Sequence, residues 1–232
     1  QLADVTIMRE LLQSLGTKIS LNKNPRSLKL ATKTIGNFTA DYEIVRKMRA
    51  SIIVLGPILA RNKIAKVALP GGCSIGARPI DLHLKGLEAM GAKIYMDGGY
   101  VFAEAVNGLQ GAEIKFSAVS VGATENIILA ATLADGKTTI SNAAREPEIV
   151  DLCRCLQKMG ANIKGAGTKK IVIEGVSSLN GANHSVMADR IELGTFMLVP
   201  ALTGGEIFLE GENLKAISWF HDKIIEMGLN VS

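Results

Sequence analysis

MGAKI, residues 90–94, returns as MGANI at 159–163, as MGLNV at 227–231 and, more loosely, as LGTKI at 15–19. The four glycines, Gly16, Gly91, Gly160 and Gly228, lie 75, 69 and 68 residues apart. Near-constant spacing of this size marks a repeated supersecondary unit. Each phrase also closes a segment of helical periodicity. DVTIMRELLQSLG opens on Asp4, a good N-cap, and stops at Gly16, a good left-handed terminator. RPIDLHLKGLEAMG puts Pro79 at its first helical position and stops at Gly91, and REPEIVDLCRCLQKMG does the same with Pro147 and Gly160. Asn213 is placed to cap LKAISWFHDKIIEMG. A short strand follows each glycine and more strand follows that, as in KKIVIEG at 169–175.

A second kind of helix comes earlier in each unit. ATENIILAATLADG (123–136) and RIELGTFMLVPALTGG (190–205) are apolar nearly all round, which predicts burial on every side. A strand is expected after each, KTTIS and EIFLEG. The unit therefore reads helix, strand, helix, strand, strand. The fold class is α/β, with buried helices covered by sheets.

Composition narrows the field. The chain has 232 residues, enough for one or two domains; 47% are hydrophobic but only 4% aromatic, so the core is aliphatic. Net charge is +4. The densest basic stretch, KISLNKNPRSLKLATK (18–33), carries no aromatic residue and reads as a solvated face, so nucleic acid is not the expected partner. A small positive excess suits an anionic small substrate. Three cysteines, Cys73, Cys153 and Cys155, make an odd and sparse set that argues against a disulfide scaffold and for a reducing, cytoplasmic compartment. No signal-peptide pattern is expected, and the longest apolar stretch, SIIVLGPILA (51–60), is about half of a membrane span. The chain opens on Gln in what reads as mid-domain sequence, so a fragment is expected.

The repeats differ where the first strand meets the second helix. From Gly136 to Gly160 is 24 residues and from Gly205 to Gly228 is 23, but from Asn62 to Gly91 is 29. The surplus falls in LPGGCSIGARPIDLH (69–83). An insertion in one copy of a repeat points to a local task. Gly71, Gly72 and Gly76 let backbone approach a ligand closely, a helix start at Pro79 offers free N–H groups, and Arg78 adds a forked cation. Both positive features lower a thiol pKa, which makes Cys73 a candidate nucleophile or proton donor. The plain alternative is a small-residue turn with an incidental thiol. A P-loop is excluded, because Ala77 and Arg78 stand where Lys and Ser/Thr belong. No GxGxxG follows a strand, so a Rossmann dinucleotide site is not supported.

Cys153 falls on the apolar face Ile149, Leu152, Cys153, Leu156 and Met159 and reads as core, while Cys155 lies off that face. His83, His184 and His221 are scattered, and no metal is expected. Arg49 precedes the apolar run of RKMRASIIVLGP and reads as a surface arginine from the residues alone. Ser120, Val121 and Gly122 open the helix of SVGATENI, another anion-ready N-terminus. In NAAREPEIVD (142–151), Arg145 and Glu146 are placed to form an ion pair. Asp189 caps the helix of ADRIELGTF (188–196).

Taken in order, MRASIIVLGP, LPGGCSIGARPIDLH, SVGATENI, NAAREPEIVD and DRIELGTF resemble the enolpyruvyl transferase family, and the repeats carry the resemblance over essentially the whole chain. It implies an inside-out α/β barrel of three repeat units per domain, with residues 1–187 as a first domain whose first unit is incomplete and 188–232 as the start of a second. It implies transfer of the enolpyruvyl group of phosphoenolpyruvate to the 3-hydroxyl of UDP-N-acetylglucosamine with release of phosphate. In bacteria that is the first committed step of peptidoglycan synthesis, and it needs no metal or organic cofactor. The family's loop cysteine is the proton donor, forms an adduct with phosphoenolpyruvate and is alkylated by fosfomycin; that role falls on Cys73.

By the same resemblance, Arg78 and Arg49 bind anionic substrate groups. Pro79, Ile80, Asp81 and Leu82 line the uridine pocket. Val119, Ser120, Val121 and Gly122 meet the nucleotide. Some members carry a lysine just before that turn, where this chain has Ala118. The family's N-terminal Lys-Asn pair, its second-domain aspartate base and its closing arginines are not matched here, so the polypeptide alone is expected to be inactive and its partner is the remainder of its own chain. The shikimate-pathway sibling lacks the cysteine loop. A non-catalytic nucleotide-sugar-binding paralogue is the alternative from another class, and a pure repeat scaffold would not need a lengthened Cys/Arg loop in one copy.

Overall fold

The four repeat glycines end their helices in one and the same conformation. The computed structural model describes residues 2–21, 27–70, 79–210 and 214–231, and in it Gly16, Gly91, Gly160 and Gly228 have φ of +100°, +89°, +102° and +94°. At each, the glycine N–H donates to the carbonyl three residues back (Gln13, Glu88, Gln157, Ile225) and the next N–H to the carbonyl five back (Leu12, Leu87, Leu156, Ile224). This is the Schellman arrangement, and the left-handed φ it demands is why glycine recurs.

The chain divides into two compact units, Gln1–Ala182 and Asn183–Ser232. The first begins with α1 (Ala3–Ser14) and the antiparallel pair β1 (Lys18–Leu21) and β2 (Leu28–Ala31). Asp4 lies in the first turn of α1; the cap position is Leu2, with no side-chain cap. Two full repeats follow. One holds β3 (Thr39–Ala40), α2 (Tyr42–Val45), a 3₁₀ turn Arg49–Val54, α3 (Leu55–Asn62), β4 (Ile64–Ala68), α4 (Asp81–Ala89), β5 (Lys93–Asp97) and β6 (Tyr100–Glu104). The other holds β7 (Glu113–Lys115), α5 (Val121–Ala131), β8 (Lys137–Ser141), α6 (Pro147–Lys158), β9 (Asn162–Lys164) and β10 (Lys170–Glu174).

Their sheets have the same topology, in strand orders β3-β4-β6-β5 and β7-β8-β10-β9. The first pair in each is parallel and the rest antiparallel, with Val67 opposite Val101 and Ile140 opposite Ile171. Each unit thus has one strand more than expected, a short parallel edge ahead of the buried helix. Two or three residues are too few to show an alternating pattern. The fold is the expected α/β arrangement of buried helices under sheets, but among the described residues the strands form three separate sheets and close no barrel.

The core lies between the sheets. From α5 it takes Ala123, Ile127, Ile128, Ala130 and Ala131, and from α3 Leu55, Ile58 and Leu59; Val67, Val101, Ile140 and Ile171 cover them from the strands. Burial of each large aliphatic side chain contributes about 1.5–3 kcal/mol. α4 and α6 add one face each, Leu87 from the first and Ile149, Cys153 and Leu156 from the second. Cys153 is core, as its helical spacing predicts. Two helices reach α5 through glycines: a Cβ at Gly56 would overlap Asn126, and one at Gly86 would stand 2.5 Å from Ile127 Cδ1. Pro147 opens α6 as expected, whereas Pro79 precedes the cap residue Ile80, and α4 starts at Asp81.

The second unit departs further from expectation. Its apolar segment is two short helices, α7 (Arg190–Met197) and α8 (Val199–Thr203). Pro200 has no N–H to give the carbonyl of Phe196, so the helix breaks at Leu198. Asp189 caps α7, its Oδ1 accepting from Ile191 and Glu192 N–H at 2.8 and 3.0 Å. A 3₁₀ turn Leu214–Ile217 and α9 (Ser218–Glu226) follow; Asn213, the expected cap, lies outside the described residues. The core is small, built on Met197, Ile217 and Ile224, while Leu202 and Phe208 are each 86% exposed. The burial on every side expected of this segment is reduced to Gly194 and Met197 on α7 and to none on α8, and the described part of EIFLEG is not a strand. No strand lies among the unit's described residues to pair with it, and an unpaired strand leaves its backbone groups unbonded.

Candidate active site

The N-terminal half of α5 gathers three of the sequence motifs into one place. Ser120 caps the helix, its Oγ accepting the Ala123 N–H at 3.3 Å. Thr124, fully buried, donates from Oγ1 to the Ser120 carbonyl at 2.7 Å and accepts the Ala144 N–H at 3.1 Å. A single hydroxyl thereby fastens the NAAREPE loop to the start of α5. That loop turns at Asn142, in the left-handed region at φ +59°, whose Nδ2 donates to the Phe116 carbonyl at 3.1 Å. Within it the Arg145 backbone N–H donates to Glu146 Oε2 at 2.7 Å, so the link is backbone to carboxylate and not the expected side-chain ion pair.

Two residues further along, Asn126 ties down the other motifs. Its Oδ1 accepts the Gly56 N–H at 2.8 Å, and its Nδ2 lies 3.3 Å from the Ile52 carbonyl and 3.0 Å from His83 Nδ1. Ile52 belongs to the 3₁₀ turn that begins at Arg49, and His83 to the first turn of α4, directly after Ile80, Asp81 and Leu82. Asn126 is 0% exposed and His83 5%. Such a buried polar group is tolerated only when bonded, and Asn126 is bonded at both ends of its amide.

Charge at this end is set by burial and by Arg49. The His83 pKa is lowered from 6.5 to about 4, first by burial and then by the nearby Arg49 guanidinium, with Asp81 opposing both. The ring is neutral at pH 7. Its edge reaches the start of α5, where a Cβ on Gly122 would stand 3.3 Å from Cε1 and 3.5 Å from Nε2. Arg49, Asp81, His83 and Gly122 therefore share one locality. Free N–H groups at the start of α5 and a half-buried Arg49 favour an anionic ligand there.

Of the remaining predicted site residues, Ile80, Leu82, Ser120 and Val121 are half-buried, and Pro79 and Val119 exposed. Asp81 also accepts from Lys85 Nζ at 3.4 Å. Cys73 and Arg78 lie outside the described residues, as does the rest of 71–78.

The sequence motifs give Glu125 and Asn126 no role, and they mark His83 only as lacking the spacing of a metal ligand. Glu125 is half-buried on α5, and its pKa is raised from 4.5 to about 7, first by burial and then by Glu148 and Glu146. The signal for the first two was present: Glu-Asn is a polar pair inside a helix that is otherwise apolar all round. Among the described residues no helix is long and apolar enough to cross a membrane.

Buried helices under mixed four-stranded sheets, in glycine-capped repeats, make the fold of an enolpyruvyl transferase domain. The chain belongs to that family: it matches the family model described as EPSP synthase (3-phosphoshikimate 1-carboxyvinyltransferase) over residues 1–232. Among curated relatives, a protein of Dinoroseobacter shibae named UDP-N-acetylglucosamine 1-carboxyvinyltransferase is 57% identical over 232 residues, which is all of this chain and 55% of the relative. One of the same name from Paracoccus denitrificans is 55% identical, over all of this chain and 54% of that protein. The chain thus spans about half the length of the curated relatives it matches. In solved structures the fold recurs in the enolpyruvyl transferase NikO of Streptomyces tendae, with a TM-score of 0.72 at 20% identity over 84% of this chain and 46% of that one. It recurs too in EPSP synthase of Acinetobacter baumannii, with a TM-score of 0.60 at 23% identity over 84% and 44%.

Proposed function

We propose that this chain is the substrate-reading half of a transferase that moves the enolpyruvyl group of phosphoenolpyruvate to the 3-hydroxyl of UDP-N-acetylglucosamine and releases phosphate. One observation carries the reading: relatives at 53–57% identity along the entire chain bear the name of that activity. The GGCSIGARP loop, with Cys73 and Arg78, supports the same member of the family over its shikimate sibling. The residues divide the work. Cys73 donates the proton that phosphoenolpyruvate takes up as the sugar hydroxyl adds, and it holds the covalent adduct. Arg78 and Arg49 meet the anionic groups. Pro79, Ile80, Asp81 and Leu82 line the uridine pocket, and Val119, Ser120, Val121 and Gly122 meet the nucleotide. Addition and elimination proceed with no metal or organic cofactor.

Residues 1–187 form the first domain in this reading and 188–232 open the second. The whole protein works in the bacterial cytoplasm at the first committed step of peptidoglycan synthesis, and so serves cell-wall growth, cell shape and division, and it is a target of fosfomycin. This chain by itself turns nothing over, because the general base belongs to the other half. The test is phosphate release from phosphoenolpyruvate by the full-length protein and by this chain. Release that depends on UDP-N-acetylglucosamine in the first and is missing in the second is expected. Nucleotide-sugar binding without release by the full-length protein would replace the reading with a non-catalytic paralogue.

A further inference from the structure

Hydrogen-bond logic around Asn126 determines which nitrogen of His83 carries the proton. The Gly56 N–H can only donate, so the side-chain atom of Asn126 that meets it at 2.8 Å must be Oδ1. The other amide atom is then Nδ2, which can only donate. It faces the Ile52 carbonyl at 3.3 Å, an obligate acceptor, and His83 Nδ1 at 3.0 Å. Two independent backbone groups thus agree on one orientation of the carboxamide. Facing an obligate donor, Nδ1 must offer its lone pair. A neutral imidazole has one N–H, and here it sits on Nε2. That edge of the ring is turned to Gly122, where the absent Cβ would stand 3.5 Å away.

We propose that Asn126 is a positioning residue of this site: it fixes His83 as the Nε2–H tautomer and so sets a permanent hydrogen-bond donor between the starts of α4 and α5. This rests on the reading of that junction as the place where the nucleotide sugar is held. A locked donor selects an oxygen acceptor on the ligand and refuses a donor, because a buried N–H left without a partner is costly. Asn126→Asp changes the logic at constant shape. One carboxylate oxygen still accepts from Gly56. The other now needs a donor, which draws the His83 proton to Nδ1 and turns Nε2 into an acceptor.

The experiment is ¹⁵N–¹H correlation spectroscopy of histidine-labelled protein at neutral pH, with His83→Gln to assign the signal among the three histidines. Wild type is expected to show Nδ1 unprotonated and Nε2 protonated, and Asn126→Asp the reverse. In the full-length protein, Asn126→Asp is expected to raise KM for the nucleotide sugar about tenfold or more, with KM for phosphoenolpyruvate changed much less. A wild-type His83 protonated on Nδ1 overturns the proposal before any Asn126 variant is made. A swapped tautomer with KM for the nucleotide sugar unchanged overturns the positioning role. The spectra need no turnover, so loss of the transferase reading would show separately, as a correct tautomer in a protein that transfers nothing.

Discussion

The backbone N–H of Gly56 reaches Oδ1 of Asn126 at 2.8 Å, and the space a methyl group would need at Gly56 is already filled by Asn126. Contact and bond are one feature: α3 comes close enough to bond α5 only because residue 56 has no side chain. Gly56→Ala is therefore expected to destabilise the fold by about 2–4 kcal/mol, as overpacking and a strained buried hydrogen bond combine. Urea denaturation followed by circular dichroism reads this as a lower midpoint at unchanged slope. A loss below about 0.5 kcal/mol would mean that α3 moves freely against α5.

Thr124 makes the corresponding link to the NAAREPE loop. Thr124→Val keeps the shape and leaves the Ala144 N–H, which now bonds to Oγ1, without its acceptor. The expected cost is about 1–3 kcal/mol. Thr124→Ser retains the hydroxyl and should recover most of it. Hydrogen exchange at the Ala144 amide is the direct probe: fast in the valine variant, slow in the serine variant and in wild type.

Glu125 and His83 pull the pH dependence of stability in opposite directions. Glu125 has a folded pKa of about 7 against 4.5, so between those values the folded state holds more protons and stability falls as pH rises. His83 has a folded pKa of about 4 against 6.5, so the unfolded state holds more protons in that window and stability falls as pH drops. The two trends overlap between about pH 4.5 and 6.5 and offset each other. Glu125→Gln should expose the His83 trend as a steeper loss toward acid. It should also stabilise the protein at pH 8 by about 1–2 kcal/mol, a figure reduced for the water that reaches a half-buried carboxyl. Denaturation midpoints from pH 4 to pH 8 decide it; an unchanged profile would show that Glu125 ionises normally.

The parts of this architecture written in short-range pattern are legible in the sequence. Gly16, Gly91, Gly160 and Gly228 announce themselves because one backbone conformation demands one residue type. α5 announces its burial by being apolar all round. β3 and β7 were not legible, since each exists only through its pairing with β4 or β8. The α7–α8 break had its cue in Pro200, but the uniform apolar run around it argued for one continuous helix. EIFLEG has a strand's composition, but among the described residues of its unit no strand offers its described part a partner. At the site, Arg49 and the Pro79–Leu82 and Val119–Gly122 stretches are named by the family resemblance alone, and their contacts with substrate belong to the proposed function. Asn126 was not legible, because its meaning lies in Gly56, Ile52 and His83, contacts that only the folded helices create.

The loop thiol carries the central claim, and the other two cysteines serve as internal controls. Burial lifts the Cys153 thiol to about 11 and also raises that of Cys155, so neither competes as a thiolate near neutral pH. The decisive measurement is intact mass with peptide mapping of the full-length protein and of this chain, each incubated with phosphoenolpyruvate and UDP-N-acetylglucosamine. An adduct is expected on Cys73 of the full-length protein and none on Cys153 or Cys155. An unmodified Cys73 in a protein that still releases phosphate at full rate would contradict it.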